Sequence, residues 1–220
     1  MMSAIGEGER KKLRISSDHL LLVEGRDEVN LFGAFIEHRL GEGLSKKVQI
    51  IDAGGKEKFL KNLQAIKAAS LTRPTLRSIG AVRDADDDAR GAFVSVCQSL
   101  HGLGYDPPSA HGGFSDAKPS VGVFIVPDGS ETGAIETLCR RSRAGDAISE
   151  CADEYLRCLA KHEVMHSRNE DKSFAHAYLA AMTEPVARVG EGALQGVWDF
   201  DSEAFSELSG FIQQLVEAPN

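Results

Sequence analysis

The sequence has no C-x-x-C pair: Cys97, Cys139, Cys151 and Cys158 stand at other spacings. A zinc ribbon or dithiol redox motif is therefore not signalled, and buried thiols are expected instead. There is no H-E-x-x-H or comparable pairing either, so His101, His111, His162, His166 and His176 are expected to be solvated or core side chains. No apolar run reaches the eighteen or so residues that span a bilayer, and no signal-peptide pattern opens the chain. A cytoplasmic protein without a membrane segment is expected. An excess of basic residues is missing too. With 25 Lys and Arg against 33 Asp and Glu, the net charge of −8 argues against indiscriminate attraction to nucleic acid, which relies on clustered cations. A nucleic-acid enzyme stays compatible with that balance, because metal would mask some acids and Arg140, Arg141 and Arg143 offer local positive charge.

What is present is an ordinary globular composition, 42% hydrophobic and 26% charged over 220 residues, enough for one substantial domain. Residues 1–18, with Gly6, Gly8 and basic residues from Arg10 to Arg14, read as a flexible, solvated start. His19–Val23 is a short apolar run that closes in Glu24-Gly25-Arg26-Asp27. Val29, Leu31, Phe32, Phe35 and Ile36 follow at helical spacing. Gly25 suits a tight turn, and Asp27 suits the cap of the helix. The strand-then-helix unit repeats at Val48–Asp52 with 56–69, and again at 76–84 with 89–100. Gly54-Gly55-Lys56 between strand and helix reads as a left-handed turn, with contact to a substrate phosphate as the sharper alternative. Residues 102–119, rich in Gly, Pro, Ser and Asp, read as a long loop, and 121–126 as a fourth strand.

Beyond Gly133 the pattern predicts helices over 134–141, Ala147–Lys161, 172–182 and 202–216, interrupted by Pro185 and the glycines at 190, 192 and 196. Alternating strands and helices imply an α/β fold. The expected architecture is a Rossmann-like, mostly parallel sheet of about four strands flanked by helices over 19–128. Residues 129–217 are expected to form a helical extension packed on that core.

The chemistry is expected where apolar strands end in acid. Ile79–Val82 runs into Arg83-Asp84-Ala85-Asp86-Asp87-Asp88, and a parallel sheet delivers such residues to its carboxyl edge. Crowded carboxylates resist ionising together unless a divalent cation neutralises them, which points to Mg²⁺ or Mn²⁺ at Glu24, Asp84 and Asp86. Asp87 and Asp88 have a plainer explanation as the cap of the next helix.

Val23-Glu24-Gly25-Arg26-Asp27, followed by Asp84-Ala85-Asp86 after a hydrophobic strand, resembles the TOPRIM domain shared by topoisomerases, primases and OLD-family nucleases. Gly133–Leu138 and Asp171-Lys172-Ser173 resemble the later segments of stand-alone OLD-like TOPRIM proteins. The chain lacks a type IA topoisomerase tyrosine region, a primase zinc module and a Walker A loop, so an isolated nuclease-like member fits best. The resemblance implies Glu24 as general acid/base or metal ligand and Asp84 and Asp86 as ligands of Mg²⁺. It further implies Asp27, Asp88 and Glu136 as candidates for a second ion and Lys172 as the group neutralising charge on the phosphate. Local structure offers competing roles, a solvated side chain for Lys172 and an i,i+4 pair with Arg140 for Glu136. Nucleic acid, DNA or RNA, is the implied substrate. Phage defence or DNA repair is the implied setting, with an ATPase partner and a homodimer as further expectations.

Two other readings compete. One is a TOPRIM-shaped binding or regulatory module without turnover. The other is a receiver-like domain, which the order of motifs disfavours because receivers place the acidic pair after the first strand and the lone aspartate after the third.

Overall fold

The computed structural model describes residues 13–71, 73–164 and 169–218. Four strands, β1 (His19–Val23), β2 (Val48–Asp52), β3 (Ser78–Asp84) and β4 (Ser120–Val126), form one all-parallel sheet in the order β2-β1-β3-β4. Helices α1 (Arg26–Ser45), α2 (Phe59–Ser70) and α3 (Ala89–Gly102) make the crossovers. The chain then continues through α4 (Ile135–Ser142), α5 (Ala147–Lys161), α6 (Glu170–Ala180), α7 (Val189–Leu194) and α8 (Ser206–Glu217).

Strand alternation sorts the core into two layers. Leu21, Val23, Val82, Phe124 and Val126 face α1 and the helices of the second half. Leu20, Leu22, Ile79, Ala81, Val123 and Ile125 face α2 and α3. Both faces of β1 and β4 are buried, which is why these strands read as unbroken apolar runs. The later helices are thus one full face of the sheet's cover. At Gly80 a Cβ would stand 2.9 Å from Leu21 and 3.2 Å from the ring of Phe211, so the absent side chain lets α8 lie on β3.

Three expectations change. The glycines at 190 and 192 do not break the chain but lie inside α7, where a Cβ on Gly190 would meet the Asp27 carbonyl oxygen at 2.5 Å. Close approach to α1, not turn geometry, explains that glycine. Residues 14–18 are not a frayed start: Ile15 and Ser17 are buried, Arg73 donates to the Ile15 carbonyl and to Asp18, and the Gln49 amide donates to the Arg14 carbonyl. Residues 1–12 and His166 lie outside the described residues. Of the cysteines only Cys139 is buried; Cys97 is half-buried and Cys151 and Cys158 are exposed on α5.

The loop 103–119 is ordered against β4. Gly112 N–H donates to the Val123 carbonyl, Ser115 N–H donates to the Val121 carbonyl, and Phe114 stacks on Phe211 with ring centroids 4.9 Å apart. These bonds cover an edge that would otherwise present unpaired backbone groups. His101, His162 and His176 are exposed, and His111 packs its ring on Phe124. Among the described residues no helix is long and apolar enough to cross a membrane.

Candidate functional site

From β1 the chain turns to β2 on one side, and from β3 it turns to β4 on the other. The reversal opens a crevice between the carboxyl ends of β1 and β3, where open α/β sheets bind ligands. Glu24 directly follows β1, and Asp84 ends β3. A cleft of about 370 Å³ lies there, and Glu24, Asp27, Glu28, Asp84, Asp86 and Glu136 all line it.

Each carboxylate is placed by local structure. The Glu24 carbonyl accepts from Gly55 N–H at 2.8 Å, so the turn after β2 pins its backbone. Gly54 and Gly55 make that turn with φ of 72° and 104°, as the left-handed reading expects. Gly25 departs from expectation. Its φ is −153°, an extended value, and its small size matters because a Cβ would stand 3.2 Å from Glu28 Oε2. Asp27 does not cap α1, which begins at Arg26 behind Gly25; its Oδ1 is buried with no hydrogen-bond partner among the described residues.

Asp86 occupies the left-handed region at φ 51°, which Asp tolerates better than most side chains. Two backbone bonds with Gly133, each 2.9 Å, hold it there, one donated by each residue. Its Oδ2 accepts from Lys56 Nζ at 2.8 Å. The backbone bonds to Gly133 tie Asp86 to the start of α4, which carries Glu136 in its first turn.

The electrostatics follow from this crowding. Burial, and then the neighbouring Glu28, Glu24, Glu136 and Asp86, push the Asp84 carboxyl well above its ordinary value. Burial likewise raises Glu24, aided by Asp86 and opposed by Arg83 and Lys56. Glu28 is raised by burial and by Glu24, Asp27 and Glu136. Oε2 of Glu24 is buried without a hydrogen-bond partner among the described residues. Around this acidic floor stand Arg26, Lys172 and Arg188, all exposed and none in an ion pair among the described residues.

A family model described as a protein of unknown function, DUF3226, matches residues 18–217. The chain belongs to the DUF3226 family. The match takes in both the sheet and the helices that close the cleft, so the DUF3226 unit includes every lining residue named above. No curated protein and no solved structure matches the chain.

Of the residues singled out in this DUF3226 sequence, Glu24, Asp27, Asp84, Asp86, Glu136 and Lys172 share the cleft. Asp88 does not. It caps α3, accepting from Gly91 N–H at 2.8 Å, and lines a neighbouring hollow of about 210 Å³. Glu136 makes no ion pair with Arg140, which is held by Asp153, Glu170 and Asp171 and stacks over Phe174. Arg141 is paired with Asp128 and Glu131, and Arg143 donates to the Val197 carbonyl. Arg140 thus links α4 to α5 and α6, while Arg141 and Arg143 tie α4 and the turn after it to the segments around 128–131 and 197. Beside Lys172 the cleft holds two further cations, Arg26 and Arg188, which the sequence did not mark as site residues, as it did not mark Glu28 or Arg83. The available signal for Arg83 was a lone cation inside the apolar run of β3.

The cleft offers only hard oxygen donors, which suits Mg²⁺ or Mn²⁺. The unpartnered oxygens of Glu24 and Asp27 fit a cation as well. Among the described residues no three His, Cys, Asp or Glu side chains are already drawn together tightly enough to hold an ion.

Proposed function

We propose that the chain is a metal-dependent phosphodiester-cleaving enzyme of the TOPRIM type, a nuclease acting on DNA or RNA. The observation that carries this reading is the convergence of Glu24, Asp84 and Asp86 on one cleft at the reversal of the sheet, ringed by cations that make no ion pair among the described residues. An acidic floor suits a divalent ion, and a basic rim suits a phosphate backbone. Asp84, Asp86 and Glu24 would hold Mg²⁺ or Mn²⁺, with Asp27 and Glu136 available to a second ion. A bound ion would supply charge stabilisation at the phosphoryl oxygens and a more acidic water.

The chain's own groups do the rest. Glu24, held above its ordinary pKa by burial, is suited to act as a general acid or base. Arg26, Lys172 and Arg188 bind and orient the phosphates either side of the scissile bond. An ATPase partner, and a role in phage defence or nucleic-acid repair, belong to the same reading.

A second reading, a TOPRIM-shaped binding or regulatory module without turnover, is favoured by one contact. Lys56 already neutralises Asp86 at 2.8 Å, a role the first reading would give to a metal. Incubating the protein with plasmid DNA and with total RNA, in Mg²⁺, Mn²⁺ or EDTA, separates the two. Cleavage that EDTA stops and Asp84→Asn abolishes supports the enzyme. Retention of nucleic acid with no cleavage under any condition, partner included, supports the module.

A further inference from the structure

On the side of the molecule formed by α5 and α6 lies an apolar groove of about 620 Å³ with Tyr155 on its wall, 55% exposed. Along α5 and its C-cap, Ile148, Cys151, Tyr155, Cys158 and His162 recur at alternating steps of three and four residues, the spacing of a helix seam that meets another helix. Leu159 and Ala152 continue the stripe into the groove, toward Ala177 and Ala181 of α6.

The charges beside the stripe are ordered. Glu150 and Glu154 lie in the first half of α5 and Arg157 and Lys161 in the second, all exposed and none in an ion pair among the described residues. That order suits the dipole of an isolated helix. The dipole does not account for the apolar stripe beside it. An antiparallel copy of α5 satisfies both features. Such a copy sets the Glu154 of each chain beside the Lys161 of the other, forming two ion pairs by symmetry, and covers Tyr155.

We propose that the α5–α6 face is a homodimer interface, in which α5 packs antiparallel on α5 of a second copy about a twofold axis near residues 156 and 157. In this register Tyr155 sits over the second copy's Cys158. The two Cys158 residues are then offset by about 4 to 5 Å along the helix axes, and the two Cys151 residues by about 16 Å.

The test is sedimentation of the full chain across a concentration series, together with a short bis-maleimide cross-linker. The expected result is a concentration-dependent dimer that Tyr155→Glu weakens tenfold or more while the circular dichroism and melting temperature of the monomer stay unchanged. Cys151→Ser should still cross-link, through Cys158, and Cys158→Ser should not. Glu154→Lys and Lys161→Glu should each weaken the dimer, and the double reversal should restore it. A monomer at every concentration overturns the proposal. So does a dimer indifferent to Tyr155→Glu, or one that the double reversal fails to restore. A monomer whose melting temperature falls with Tyr155→Glu also overturns it, since that would mean part of the same chain covers the groove.

Discussion

Nε of Arg83 stands 4.0 Å from Oε2 of Glu24, and neither of these buried atoms has a hydrogen-bond partner among the described residues. They are close enough for charge to act and too far apart for a bond. Arg83 therefore opposes the rise in the Glu24 pKa without fixing the carboxylate. Replacing Arg83 with Met should push the Glu24 pKa higher still, because burial and Asp86 then act with less opposition. Carboxyl ¹³C titration of Glu24 measures the shift. An unmoved or lowered midpoint would show that the guanidinium does not govern this acid.

Asp84 has a clear consequence for stability. Its carboxyl ionises at higher pH in the folded chain than its ordinary value of 3.8, so folding favours the protonated form. Below about 3.8 both states are protonated and no penalty exists; the penalty grows as pH rises toward the folded pKa and is constant above it. Asp84→Asn removes it. In EDTA, the variant's gain in stability over wild type should be small near pH 4 and largest above the folded pKa. Urea melts between pH 4 and 8 give the difference, and a gain that shrinks as pH rises would contradict the assigned direction. The same variant should lose Mn²⁺ binding by calorimetry.

Glu24→Gln keeps the size of the side chain and removes its proton chemistry. Cleavage should slow by about 10² to 10⁴, the usual cost of losing a general acid or base. Affinity for nucleic acid should change little, since the rim cations are untouched. Single-turnover cleavage and filter binding measured in parallel test both halves, and a variant cutting at the wild-type rate would remove Glu24 from the mechanism.

Lys56 competes with any ion for Asp86. The pair is half exposed, and solvent-facing pairs are worth about 0.2 to 1 kcal/mol. Lys56→Met should therefore tighten Mn²⁺ binding, by no more than about fivefold, in a calorimetric titration. Weaker Mn²⁺ binding would mean that the lysine organises Asp86 rather than blocking it.

Gly190→Ala places a methyl 2.5 Å from the Asp27 carbonyl oxygen, a backbone atom that cannot swing aside. Overpacking of this kind costs about 1 to 3 kcal/mol, and thermal melts should register it. Because α7 must back away from the first turn of α1, Mn²⁺ affinity should fall as well.

Much of this structure was legible in the residues. The boundaries of β1, β2 and α5 follow from apolar runs that stop at charge or at a cap, and the Glu24 and Asp84 ends follow from the parallel sheet. What escaped depends on contacts distant in sequence. Helix propensity makes Gly190 and Gly192 look like breaks, whereas packing on Asp27 and Leu179 makes them fit. Arg140 has Glu136 four residues away, yet Asp153 and Asp171, brought by α5 and α6, hold it instead. Asp88 is the contrasting case: its cap at the start of α3 is a local contact with Gly91, and the sequence already offered it as the plainer role. Arg26 and Arg188 become cleft residues only once α1 and the approach to α7 stand side by side.

The two bonds between Asp86 and Gly133 join a segment of the sheet to the helices that follow it. The cleft is therefore built on both sides of a division near residue 128 that the sequence pattern suggested, with Glu24 and Asp84 before it and Glu136, Lys172 and Arg188 after it. Neither portion carries a whole site, and the first alone would expose the core face under Val82 and Phe124. Such a chain is not modular: recombination across that division would separate ligands from rim cations, so descent should pass the two portions on together.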